Sequence, residues 1–166
     1  MLVIGIDPGT ARTGYGLVRQ EPGGGLIYVA AGVIVTPAES PMPDRLLELH
    51  RQLSEILSLH RPQSGAVEKL FFQRNVTTAM TVGQARGVAI LALAQASIPV
   101  GEYTPREIKD AVAGHGAADK RQMQDMVKIL LNLEERPRPD DVADALAVAI
   151  CHLNATGFHR RLGEMS

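Results

Sequence analysis

A chain of 166 residues, 45% apolar and 21% charged, fits one globular domain with a substantial core. Its net charge of −1 argues against binding nucleic acid by bulk charge, but four acids gathered in one site would leave fourteen to face seventeen basic residues elsewhere. The single cysteine, Cys151, excludes an internal disulfide framework and fits a reducing compartment, while two uncharged runs, 22–38 and 87–101, fall short of the ~20 apolar residues of a membrane span.

Residues 1–10 read as a buried apolar strand that carries one carboxylate, Asp7, to its C-terminal end, where Pro8-Gly9 opens a turn. No signal peptide is visible, because the apolar start runs straight into Asp7. A charge at the end of an apolar run is costly to desolvate without a partner. Asp7 is therefore either a site residue or the acceptor that organises the turn over residues 8–13, and the strand alone does not decide.

Residues 14–19 read as a second strand, the run Glu21-Pro22-Gly23-Gly24-Gly25 as a turn, and 26–36 as a third strand, giving an antiparallel meander. An amphipathic helix is expected over 44–60, with Leu46, Leu49, Leu53, Ile56 and Leu57 on one face and Pro62 beyond its end. Residues 65–71 read as a fourth strand containing a second unusual acid, Glu68. Asn75 is the expected N-cap of a long helix over 76–97 whose stretch 87–94 is apolar on every side and needs cover on both faces, from other helices or from a second subunit.

A short fifth strand over 98–103 leads to Thr104-Pro105-Arg106-Glu107, which has capping-box spacing with proline at the first helical position. The glycines around His115 break that helix and leave His115 as a surface residue. The next helix carries Met123, Met126, Val127, Leu130 and Leu131 on one face, and the methionines read as core. The last helix is expected over 140–154, with Cys151 and His152 read as packing and a tail that frays from Gly157. The whole reads as an α/β fold: a mixed five-stranded sheet, the meander on one side of a central first strand and parallel strands on the other, with helices on both faces. Residues 1–156 form the domain and 157–166 the tail.

The last helix opens Asp140-Asp141-Val142-Ala143-Asp144, and Asp141 and Asp144 at i, i+3 share a face. Acids in a first turn favour the helix dipole, and Asp140 reads as a cap. Asp144 lies a turn further in, among small residues that let the helix approach something closely. Asp7, Glu68, Asp141 and Asp144 would make an all-oxygen cluster suited to Mg²⁺ or Mn²⁺ rather than Zn²⁺. Scattered surface acids are the competing reading.

The run Ile4-Gly5-Ile6-Asp7-Pro8-Gly9-Thr10 with Thr13-Gly14-Tyr15-Gly16 resembles the first motif of the RuvC family of Holliday-junction resolvases. The runs 66–71, 83–89 and 141–147 resemble its other motifs, in order and in spacing, so that the likeness extends over residues 2 to 155. The resemblance implies an RNase H-like fold in a bacterial cytoplasmic homodimer. It implies metal-dependent, symmetric cutting of two opposed strands of a four-way DNA junction, with two ions per site, leaving 5′-phosphate and 3′-hydroxyl ends. It implies branch-migration partners, RuvA and RuvB.

Carried over residue by residue, the resemblance makes Asp7, Glu68, Asp141 and Asp144 the metal ligands. It makes Lys109 and Lys120 the basic pair that offsets charge on the scissile phosphate, and Phe71 the junction-probing aromatic. Phe72, Arg74 and Asn75 beside Phe71 suit contact with bases. Ala117 stands where many members carry a capping serine, which loosens the expected start of the next helix. Rival readings are a sugar-kinase-like phosphotransferase, from Asp7-Pro8-Gly9-Thr10 alone, a catalytically dead branched-DNA binder, and a YqgF-type nuclease acting on RNA.

Overall fold

The structure, a computed structural model, describes residues 1–69 and 76–163. Strands β1 (Leu2–Asp7), β2 (Arg12–Gln20), β3 (Leu26–Val35), β4 (Ser64–Glu68) and β5 (Val100–Tyr103) form one sheet in the order β3-β2-β1-β4-β5. The first three pair antiparallel, β4 lies parallel to β1, and β5 parallel to β4. The central first strand and the split into a meander and a parallel half follow the sequence reading. Gly24, at φ +86, closes the β2–β3 turn in the left-handed region that suits glycine.

Alternation along the strands divides the core in two. Val3, Val18 and Ala66 face helices α3 (Pro105–Ala113), α4 (Lys120–Leu130) and α5 (Asp140–Gly163). Ile4, Ile6, Leu17 and Val67 face helices α1 (Met42–His60) and α2 (Val76–Gln95), which cover the opposite side.

Helix α5 lies almost in backbone contact with the sheet. A Cβ at Gly5 would come 2.2 Å from the Ala145 carbonyl oxygen, and one at Gly14 2.0 Å from that of Asp141. Gly16 makes similar room for Leu146, and Ala143, Ala145, Ala147 and Ala149 are buried on the helix side. Glycine on the strands and alanine on the helix together set this distance, which accounts for the small residues around Asp144.

A buried polar tie fixes the middle of α5. His152 Nε2 lies 2.6 Å from Ser64 Oγ, and Nδ1 lies 2.8 Å from the Tyr103 hydroxyl. Ser64 donates its proton to the Pro99 carbonyl at 3.2 Å, so Nε2–H donates to Ser64 and Nδ1 accepts from Tyr103. Burial pushes the His152 pKa down, which keeps the ring neutral and this tautomer in place. Ser64 precedes Glu68 by four residues and His152 follows Asp144 by eight. Strand and helix thus both run back roughly 12–13 Å from the tie to their acids.

The structure adds to three expectations. The tail expected to fray from Gly157 continues α5 as helix to Gly163. The start of α4 is firmly set despite Ala117: Asp119 caps it, its side chain accepting from Gln122 N while Gln122 returns a bond to Asp119 N. The stretch 87–94 of α2 is covered on one side only: Ala85, Ala89, Ala92 and Leu93 are buried, whereas Gly87, Leu91 and Ala94 are exposed. The fourth strand ends at Glu68, and the expected cap Asn75 lies outside the described residues. No helix among the described residues is long and apolar enough to cross a membrane.

The glycine seat is directly testable. Gly5→Ala should destabilise the fold by about 1–3 kcal/mol through overpacking, a fall in melting temperature of roughly 2–12 °C for a chain of this size. An unchanged melting temperature in a circular-dichroism scan would mean that α5 is not seated on β1 backbone to backbone.

Candidate active site

Parallel pairing of β1 with β4 aligns Ile6 with Val67, so Asp7 and Glu68 leave the sheet side by side as the next residue of each strand. Above them, the Gly14 contact seats the first turn of α5 and the Gly5 contact the next, which brings Asp141 and Asp144 over the same strand ends. Three elements, drawn from residues 7, 68 and 141–144, thus deliver four carboxylates to one end of the sheet. A cavity of about 240 Å³ opens there, lined by Glu68, Lys109, Lys120 and Asp144 with Ile108 and Met123 as its apolar wall.

The carboxylates feel one another strongly. Burial pushes the Asp7 carboxyl up to about 7, and repulsion from Asp144, Glu68 and Asp141 adds to it, with Lys120 partly compensating. Glu68 is likewise raised, first by burial and then by Asp144, against a lowering pull from Lys109. Burial also raises Asp144, and Lys120 works against it. The site therefore carries more negative charge than its own cations neutralise.

Lys120, Arg12 and Arg86 are already engaged. Lys120 Nζ lies 2.9 Å from Asp140 Oδ2 and 3.6 Å from Asp144 Oδ2. Asp140 also accepts from Gln124 at 2.8 Å, so it joins α4 to α5 rather than serving only as a cap. Arg12 Nε donates to Asp141 Oδ2 at 2.9 Å. Arg86 Nε donates to the Glu68 backbone carbonyl at 3.0 Å and its guanidinium pairs with Glu102, which fastens the ends of β4 and β5 to α2.

Among the described residues, no three acidic, histidine or cysteine side chains converge closely enough to hold one ion. Asp141 is drawn toward Arg12, Asp144 toward Lys120, and like charges repel. The donor set nevertheless fits a hard divalent cation. It is all oxygen, it shares one strand end and one helix turn, and its raised carboxyl pKa values mark a deficit of positive charge that such an ion would fill.

The structure brings together Asp7, Glu68, Asp141, Asp144, Lys109 and Lys120. Phe71, Phe72, Arg74 and Asn75 lie outside the described residues. Spacing gave no sign of Arg12, whose role depends on a contact across 129 residues. Arg106 and His115 lie nearby, the latter read from the sequence as a surface residue. With Lys109 they line an open cleft of about 540 Å³ that shares Pro105 and Lys109 with the acidic cavity.

A family profile described as crossover junction endodeoxyribonuclease RuvC matches residues 3–152. A protein of that name from Chloroflexus aggregans is 56% identical over 98% of this chain and 99% of its own length. The Thermus thermophilus RuvC structure superposes with a TM-score of 0.89 at 38% identity, covering 96% of this chain and 97% of that one. A second structure, T. thermophilus RuvC in complex with a Holliday junction substrate, matches with a TM-score of 0.87 at 35% identity over 95% and 96% of the two chains.

The raised Asp7 pKa has a measurable sign. In the metal-free folded protein Asp7 titrates near 7 against 3.8 for the unperturbed group, so the folded state holds the extra proton between those values. Stability is therefore lost as pH rises from about 4 through 7. In EDTA the melting temperature should fall between pH 5 and pH 8. Asp7→Asn should flatten that fall and melt above the wild type at pH 8. A wild-type melting temperature that does not change over this range would show that Asp7 is already compensated.

Proposed function

The chain belongs to the RuvC family of crossover junction endodeoxyribonucleases and is an endonuclease that resolves Holliday junctions; we propose that Asp7, Glu68, Asp141 and Asp144 form its cutting centre and hold divalent cations, Mg²⁺ or Mn²⁺, two per site. The observation that carries this reading is the convergence of four carboxylates from β1, β4 and α5 on one end of the sheet, with raised pKa values and basic residues alongside. When bound, the ions supply Lewis-acid activation for phosphodiester hydrolysis that leaves a 5′-phosphate and a 3′-hydroxyl.

The protein's own groups have separable tasks. Asp7 and Glu68 supply ligand oxygens fixed by strand pairing, and Asp141 and Asp144 supply oxygens fixed by the helix seat. Lys120 and Lys109, on the cavity wall, offset negative charge on the non-bridging phosphate oxygens. Lys120 is already paired with Asp140 and Asp144, which holds its ammonium at the mouth of the cavity. Arg106 extends this basic rim away from the acids, along a cleft that could take the flanking backbone of the DNA strand. Recognition rests on junction shape and deformability, with Phe71, Phe72, Arg74 and Asn75 as the contacts to unstacked bases.

Two opposed strands require two sites, and a homodimer provides them. Support comes from α2, where Met80 and Leu91 are 63% and 51% exposed and continue with Gly87 and Ala94 as an uncovered apolar stripe. Branch-migration partners of the RuvA and RuvB type remain part of this reading, and the enzyme is assigned to the bacterial cytoplasm, where its DNA substrate lies.

Each of Asp7→Asn, Glu68→Gln, Asp141→Asn and Asp144→Asn should lower junction cutting at least ~100-fold while binding in a gel-shift assay persists. A variant cutting at near wild-type rate would remove that residue from the centre. Lys109→Ala and Lys120→Ala should slow cutting on the order of 10–100-fold, less than the loss of an enclosed oxyanion donor, because Lys120 is open to solvent. Leu91→Glu should give monomers in sedimentation and end paired cutting. A dimer that persists would move the interface elsewhere.

A further inference from the structure

Arg12 makes a contact that the cutting chemistry above leaves unused. It begins β2 two residues before Gly14 and so projects to the same face of the strand. Gly14 lies directly beneath the Asp141 backbone, and from beside it the Arg12 guanidinium reaches Asp141 Oδ2 at 2.9 Å. The Arg12 side chain is 47% exposed. On its outer side it lines a cleft of about 510 Å³ together with Tyr28, Gly32, Val142 and Arg138. The guanidinium thus stands on the boundary between the acidic site and this cleft.

Asp141 is therefore occupied by a cation of the protein's own before any metal arrives. A divalent ion that takes this carboxylate competes with the guanidinium for the same oxygen and repels it. Exposed ion pairs are weak, so the exchange meets little resistance. Glu134 and Glu135 also line the cleft. While Arg12 is committed to Asp141, the cleft sets one arginine, Arg138, against two acids. Once Arg12 is free, the charges balance, and the cleft no longer repels a phosphate.

We propose that Arg12 is a DNA-phosphate ligand that Asp141 holds back in the metal-free protein and that is released into the adjoining cleft when a divalent cation takes that carboxylate. Metal binding and junction binding are then coupled through one side chain, and the coupling acts in both directions. The inference rests on Asp141 being a metal ligand.

Two measurements on the full-length protein test it. In calorimetric titrations with Ca²⁺ and no DNA, Arg12→Ala should bind the ion about two- to five-fold more tightly than Arg138→Ala, which removes the same charge from the same cleft. In junction binding, a denaturing gel verifies that the DNA stays uncut. The salt slopes of wild type and Arg12→Ala should there differ by about 1 in Ca²⁺ and by about 0 in EDTA. Equal Ca²⁺ affinities in the two variants would overturn the competition. A slope difference of the same size in both buffers would make Arg12 a permanent phosphate contact, and no difference in either would make it a bystander; each result overturns the proposal. Absence of any Ca²⁺ binding by the wild type is a separate outcome, which would overturn the metal-ligand reading of Asp141 and the inference with it.

Discussion

The distance between α5 and the sheet is the constraint on which this molecule depends. Side chains normally hold a helix well clear of a sheet it covers. Here Gly5, Gly14 and Gly16 remove them on one side, and a run of alanines reduces them on the other. The helix drops until the Asp141 and Ala145 carbonyls rest on strand backbone. Only at that depth do short aspartate side chains on the helix meet the acids at the strand ends. A longer side chain at Gly14 would lift the first turn of α5 and draw Asp141 away from Asp7, even with every carboxylate retained.

Depth alone does not fix position along the helix axis, and the His152 tie supplies that. Ser64, Tyr103 and His152 join β4, β5 and α5, and the neutral ring uses both nitrogens. Strand and helix then act as two struts of similar length from a common anchor. Gly101 leaves room for the ring, since a Cβ there would lie 2.5 Å from Nδ1. Near the other end, Arg86 grips the Glu68 carbonyl and Glu102, so the glycine-rich motif of α2 holds the strand ends to the opposite helix layer.

Much of this was legible in the sequence because it is local or periodic. The meander, the central first strand and the parallel half follow from alternation, turn residues and motif order, and Asp7 and Asp144 stood out as charges in apolar surroundings. What stayed hidden depends on contacts between distant segments. The pairing of Arg12 with Asp141 spans 129 residues, and nothing beside Arg12 announces it. His152 was read as packing, which its burial bears out, but its two partners come from other strands. The tail was misjudged because polar residues after Gly157 resemble a fraying end, whereas the backbone stays helical to Gly163. The cap of α4 is Asp119, two residues beyond the Ala117 position at which the family resemblance places one.

The order in which the four carboxylates occur along the chain has a consequence for a growing polypeptide. Asp7 is made well before Asp141 and Asp144, which follow more than 130 residues later and sit on the helix that must cover β1 and β2. Until α5 emerges, Val3 and Val18 lack the apolar partners that close their layer. Domain closure and assembly of the charged centre are therefore one late, long-range event, of the kind that loop-closure entropy makes slow. A nascent or truncated chain carries two of the four acids and none of the geometry.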